Sequence, residues 1–383
     1  ILIHIKEVYY QPSNMIIGID ASRANTKERS GVEWYAFHLI HNLAKIDSKN
    51  QYFLYSNKEF RDDLKIDQPN FHLKVLKWPF SRLWTLGRLT LEMIFKKVDV
   101  LIVPSHTLPL VGARKNILSW HDLAYEHYPE VYTKSHLMSL KQGIKRVIKK
   151  ADKIITISNF TRNEIVEKYN LSLDRIEVTY MGIDHKLWKK QDEKKVKNYL
   201  RENNFNLPYF VYLGRLTAKK NVPGLIEAYN IFRKQIARPH NLYLIGFKGF
   251  DFKLIEKAIS SSPYSNEIKV LGYTPSKELP IIFAGAEALV FPSFYEGFGI
   301  PVIEAMASGC PVITSNLTAL PEVVAGSGIL VDPRNKEDIA KAMEKIVSDN
   351  NFKEELRLKG LSRAKEFTWL KCAKKTLEII EKI

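Results

Sequence analysis

A chain of 383 residues that is 45% hydrophobic and 26% charged has the composition of a soluble globular protein, long enough for two domains with separate cores. No run approaches eighteen uninterrupted apolar residues, so no transmembrane helix is expected; Cys310 and Cys372 lie far apart without metal-ligand spacing, which fits a reduced cytoplasmic compartment. The net charge is +16, with 30 basic against 20 acidic residues in 1–190 and 28 against 22 in 191–383; without zinc-finger spacing, an aromatic RNA-binding signature or a basic helix-turn-helix, this excess favours anionic lipid over nucleic acid as the counterpart.

Residues 1–14 read as upstream or fragment-edge sequence and lack the charged, apolar, small pattern of a signal peptide. The first strand is expected in MIIGIDAS from Met15, followed by a helix from about Val32 to Ile46. QYFLYS, LKVLKW, VDVLIVPS, KNILSW and KIITIS then alternate with helical segments, the rhythm of a doubly wound parallel sheet. The lysine-rich stretch Lys189 to Asn204 breaks that rhythm and reads as a linker containing a helix. Alternation restarts with YFVYLG, a helix from Pro223, NLYLIG, IKVLGY, EALVFPS, PVITS and GILVDP. The expected fold is therefore α/β, two Rossmann-like halves around a cleft: 15–188, a linker region 189–205, and 206–365, with 366–383 as a further helix.

Two stretches bear on membranes. In the helix within YTKSHLMSLKQGIKRVIKKADK, Leu137, Leu140, Ile144 and Ile148 form one stripe, while Lys141, Lys145, Arg146, Lys149 and Lys150 occupy the rest. Trp78 to Lys97 adds aromatics and cations, so peripheral contact with an anionic membrane is one expectation, and an ordinary core-facing helix with a solvated basic face is the other.

The most informative segment is Phe294 to Asn316, FYEGFGIPVIEAMASGCPVITSN. Pro301 stands where a helix should begin and Gly309 where it should stop, so Glu296 falls on a strand-to-helix loop and Glu304 on the helix. The unpaired N–H groups of a helix start attract an anion, while two carboxylates accept from hydroxyls. A phosphorylated sugar satisfies both. Upstream, YFVYLGRLTAKKNVP places Arg215 and Lys220 on a second such loop, with Lys219 competing for the same duty. SWHDLAYEHYP sets His121 and Asp122 at the end of an apolar strand, leaving His106, His127 and His136 without a role.

The spacing of Glu296 and Glu304 within EGFGIPVIEAMA closely resembles the signature of the retaining, nucleotide-sugar-dependent glycosyltransferases of family 4, which have the GT-B fold. That resemblance implies that Glu296 contacts donor-sugar hydroxyls, that the backbone of Phe298, Gly299 and Ile300 holds sugar and phosphate, and that Glu304 binds ribose. Gly214, Arg215 and Lys220 match the family's diphosphate loop, where Asn221 replaces the usual glycine. Gly31 matches the first-loop glycine with Ser30 in place of its usual partner, and Gly272 and Tyr273 match the base-reading backbone. His121 resembles the histidine that faces the reacting sugar carbon. By the same resemblance 366–383 crosses back to the first domain.

TISNFTRNEI, VTYMGID and LPEVVAGSG are further family-like strings, and Glu322 is expected either to line the phosphate side or to cap a helix start. No Asp-x-Asp, Walker loop, GxGxxG or Cys/His cluster is present, so no metal and no cofactor is expected. The implied activity is transfer of a hexose, best mannose from GDP-mannose, to a glycan or lipid-linked acceptor in bacterial surface polysaccharide assembly, at the cytoplasmic face. A nucleotide-sugar epimerase of the same fold and a non-catalytic homologue are the alternatives.

Overall fold

The computed structural model describes residues 14–79 and 83–383. The reading of 1–14 thus lies outside the described residues but for Asn14, as do Phe80, Ser81 and Arg82 of the aromatic stretch.

Seven parallel strands build the first sheet: β1 (Ile16–Asp20), β2 (Gln51–Ser56), β3 (Phe71–Val75), β4 (Val100–Val103), β5 (Lys115–Trp120), β6 (Lys153–Thr156) and β7 (Ile176–Val178). Their order is β3-β2-β1-β4-β5-β6-β7. Six build the second: β8 (Tyr209–Leu213), β9 (Asn241–Ile245), β10 (Ile268–Gly272), β11 (Leu289–Phe291), β12 (Val312–Ser315) and β13 (Ile329–Val331), in the order β10-β9-β8-β11-β12-β13. Central strands such as β4 (VLIV) and β9 (NLYLI) are buried along their whole length, as a sheet covered by helices on both faces requires. In each sheet the winding reverses beside the first strand, between β1 and β4 and between β8 and β11, which opens a crevice at the strands' carboxyl ends. The two crevices face each other.

Two crossings join the halves. The helix Glu193–Glu202 within the expected linker packs against helix Leu279–Gly285, burying Val196 and Leu200 in the second domain's core. The helix Trp369–Glu381, which follows the whole second sheet, lies on helix Gly31–Ile46 of the first domain. At that crossing Ile183 pairs with Thr368 as a parallel bridge, and the Ile183 amide donates to the Phe367 carbonyl at 3.3 Å.

The helix Lys134–Lys150 turns Leu140, Ile144 and Val147 into the core, with Leu137 and Ile148 packed beside them. This bears out the core-facing alternative for the stripe rather than the lipid-facing one: burying such side chains in protein is worth about 1.5–3 kcal/mol each. Lys141, Lys145, Lys149 and Lys150 stay exposed, with Met138 as an exposed apolar side chain near the start of the helix, so its outer face is mainly charge. No helix among the described residues is long and apolar enough to cross a membrane.

Candidate functional site

One cavity of about 620 Å³ occupies the crevice between the two sheets. Its donor-like wall begins where β11 ends. Glu296 sits on the connecting loop, and Gly299 opens the helix Ile300–Ala307 at φ +103°, a left-handed conformation that side chains disfavour. Pro301, which has no amide hydrogen, fixes the first turn, the Val302 amide donates to the Gly299 carbonyl at 3.0 Å, and no side chain caps the helix among the described residues, so the backbone of Gly299 and Ile300 borders the cavity at an uncapped helix start. Glu304 lies one turn on. Burial pushes its carboxyl up to about 8, so near neutrality it carries a proton and can donate as well as accept.

Arg215 and Lys220 come from the loop after β8, on the neighbouring side of the same crevice. Lys220 Nζ reaches Glu296 Oε1 at 2.5 Å, joining the two loops by an ion pair. Lys219, its rival, instead lies over the rings of Tyr128 and Tyr295, 5.6 Å from each centroid, and burial lowers its pKa. Asn221 does what a glycine would: it takes the left-handed conformation, φ +57°, open to asparagine at modest cost, and its side chain donates to the Pro333 carbonyl at 2.6 Å. The Ala218 amide donates to Asp251 at 2.7 Å, fixing the middle of the loop.

The facing wall comes from the first domain. His121 follows β5, is 8% exposed, and packs edge-on to Tyr35 with centroids 4.9 Å apart. Burial lowers its pKa, the Pro104 carbonyl accepts from the ring, and Nε2 has no partner among the described residues. A neutral imidazole with one buried, unpartnered nitrogen therefore borders the cavity. Gly31 lines it from the first turn of helix Gly31–Ile46, where Ser30, in place of a glycine, donates its amide to Glu33 at 3.2 Å. The walls meet at Gly297, where a Cβ would stand 2.3 Å from the His121 carbonyl oxygen.

Of the residues singled out in the sequence, Gly31, His121, Arg215, Lys220, Glu296, Phe298, Gly299, Ile300 and Glu304 line this cavity. Gly214 ends β8 beneath it, bonded through its amide to the Ile245 carbonyl. Gly272 and Tyr273 do not join it. Gly272 borders a separate depression of about 450 Å³ with Lys248 and Phe252, and Tyr273 stacks on Phe247 at 5.1 Å. His127 pairs with Glu164 at 2.5 Å, His136 is exposed, and His106 is pushed down to about 4 by burial and its neighbour His121.

The sequence reading missed an aromatic arm. Trp34 and His38, four residues apart on one helix, stack at 5.4 Å, and His38 stacks on Trp369 at 4.8 Å. The helical spacing of Trp34 and His38 was a usable signal; the resemblance brought the helix that begins at Trp369 back to the first domain but did not place the Trp369 ring on His38. Asp184 and Trp188 complete the arm.

Comparison with known proteins decides the family. The profile described as Glycosyltransferase Family 4 matches residues 29–187, and that described as Glycosyl transferases group 1 matches 192–363. The chain is 30% identical over 261 residues to the O-antigen chain mannosyltransferase B of Escherichia coli, covering 68% of each chain. The chain belongs to the family 4 glycosyltransferases. Its fold is GT-B. Sucrose-phosphate synthase from Thermosynechococcus elongatus superposes with a TM-score of 0.75 at 19% identity, over 96% of this glycosyltransferase and 99% of that chain. HepE from Anabaena, solved with UDP and glucose, gives 0.73 at 16% identity over 97% and 100%.

Proposed function

We propose that this glycosyltransferase moves mannose, with retention, from GDP-mannose to a hydroxyl of a glycan or lipid-linked acceptor in bacterial surface polysaccharide assembly. The observation that carries the reading is the convergence of Glu296, Glu304, Arg215, Lys220 and an uncapped helix start on one cavity. A nucleoside diphosphate sugar uses all of them. Its diphosphate takes the helix amides, Arg215 and Lys220; its sugar hydroxyls donate to Glu296; its ribose diol meets Glu304.

The leaving diphosphate gains negative charge as the glycosidic bond breaks, and the cations with the helix dipole stabilise that charge without a metal. His121 is held neutral, so its free Nε2 can accept from a sugar hydroxyl beside the reacting carbon. The departing phosphate oxygen then takes the acceptor proton on the same face, and no further base is required. The acceptor enters along Trp34, His38 and Trp369, whose faces suit a sugar ring.

Mannose is supported by the Escherichia coli relative being a mannosyltransferase, whereas the Anabaena neighbour was solved with UDP. A cytoplasmic location with peripheral membrane contact is part of the same proposal. It is supported by exposed Leu91, Ile94, Phe95 and Leu110, the last bonded through its carbonyl to exposed Lys150.

Thermal-shift measurements against GDP, UDP, ADP and their sugar conjugates, with and without EDTA, test the donor. Stabilisation by GDP and GDP-mannose that survives EDTA is expected. A response confined to UDP conjugates overturns the donor, and loss of the response in EDTA overturns the metal-free site.

A further inference from the structure

Glu322 lies outside the cavity, on the short helix Leu320–Val324 of the second domain, yet every side-chain bond it makes among those described goes to the first domain. Its Oε1 accepts from the Asn159 amide at 2.8 Å, the Asn159 side-chain amide at 2.6 Å and the Tyr180 hydroxyl at 2.7 Å; Oε2 accepts from the Phe160 amide at 3.2 Å. Asn159 and Phe160 open the helix Asn159–Tyr169. Its own cap, Ser158, accepts only from the Thr161 amide at 3.1 Å, and no acidic residue stands in the first turn. The carboxylate from the opposite domain thus supplies the acceptor that this helix start lacks.

The segment that carries Glu322 also holds Glu296. The Glu296 amide donates to Thr318 Oγ1 at 3.2 Å, and the Ala319 amide donates back to the Glu296 carbonyl at 3.4 Å. Thr318 is a β-branched residue at φ +61°, a conformation that persists only where its surroundings impose it. On the other flank of Glu296, the Tyr295 hydroxyl accepts from the Leu123 amide at 2.9 Å and donates to Glu164 at 2.6 Å. Glu296 is therefore bracketed by two contacts to the first domain, one of which runs through Glu322.

We propose that Glu322 is a positioning residue: by clasping the start of helix Asn159–Tyr169 it ties closure of the cleft to placement of Glu296 through Thr318 and Ala319. Opening of the domains breaks the clasp and releases the loop that holds Glu296, so transfer-competent geometry exists only in the closed form. The consequence for transfer rests on Glu296 meeting the donor sugar; the clasp itself does not.

The test pairs Glu322→Ala and Glu322→Gln with Tyr180→Phe, all in the full chain. Hydrogen exchange on the protein alone reads the clasp without any donor. Glu322→Ala is expected to deprotect the Asn159 and Phe160 amides together with 295–297 and 316–320, Glu322→Gln to restore part of that protection, and Tyr180→Phe to give a smaller change of the same kind. With GDP-mannose as donor, kcat should fall about 10- to 100-fold in Glu322→Ala, the cost of a small misplacement at a reacting centre, while GDP affinity stays within about twofold. Deprotection confined to Asn159 and Phe160, with kcat unchanged, overturns the link to Glu296. A fall in GDP affinity matching the fall in kcat, with Glu322→Gln as impaired as Glu322→Ala, also overturns it, because the residue would then be serving the second domain's stability. If the wild type fails to use GDP-mannose, the donor assignment fails and hydrogen exchange still decides the clasp.

Discussion

The two walls of the cleft are built from different chemistry. The second-domain wall is polar and held by its own loops: Lys220 is already bonded to Glu296, Asp251 holds the loop that bears Arg215, and a left-handed glycine sets the helix start. The first-domain wall is aromatic, Trp34 on His38 on Trp369, with His121 as its free polar atom. On the proposed reading, the difference teaches that preset charge recognises the diphosphate end, whereas shape and ring faces recognise the acceptor end.

The largest effect should come from the polar wall. Glu296→Ala is expected to lower kcat by about 10³-fold with nucleotide affinity nearly intact, since on the proposed reading its carboxylate meets the sugar rather than the diphosphate; an equal loss in calorimetric GDP affinity would erase the distinction. Arg215→Ala should weaken GDP binding by about 10- to 100-fold, the scale of a lost charge-assisted contact. Trp34→Ala should raise the acceptor KM by about tenfold, from loss of a stacking face, and leave GDP affinity alone. A change in GDP affinity there would mean that the aromatic arm holds the nucleotide.

The smallest effect concerns stability. Glu304 has a folded-state pKa of about 8 against an ordinary 4.5, so in that interval the unfolded chain gives up a proton that the folded protein keeps. Stability contributed at this site therefore falls as pH rises from 4.5 to 8 and levels off above. Glu304→Gln should raise Tm at pH 8 by a few degrees, roughly what 1–2 kcal/mol gives in a protein of this size, and leave it unchanged at pH 4. Scanning calorimetry across that range checks the slope.

What the sequence revealed and what it hid follow the same division. The polar wall lies in two short strand-loop-helix segments, and Pro301, Gly299 and the Glu pair are local signals, so it was legible. The choice of Lys220 over Lys219 came from the family resemblance rather than from local chemistry; the packing that takes Lys219 away, over Tyr128 and Tyr295, is not encoded locally. The aromatic arm was hidden because Trp369 meets His38 only after 330 residues of intervening chain have folded. Glu322 was read as lining phosphate or capping a helix start; it caps, but on the other domain's helix, a contact that no local spacing encodes. The basic helix showed its amphipathicity in the sequence, but only packing tells whether an apolar stripe meets lipid or core.

The helix Trp369–Glu381 covers helix Gly31–Ile46 from the far end of the chain. During synthesis the first domain must therefore wait, one face of its opening helix bare, while the whole six-stranded sheet is made; domains otherwise tend to finish in the order in which they emerge. A translational stop before Trp369 would leave the polar wall complete and the aromatic wall unfinished, so damage late in the sequence would appear in the domain made first.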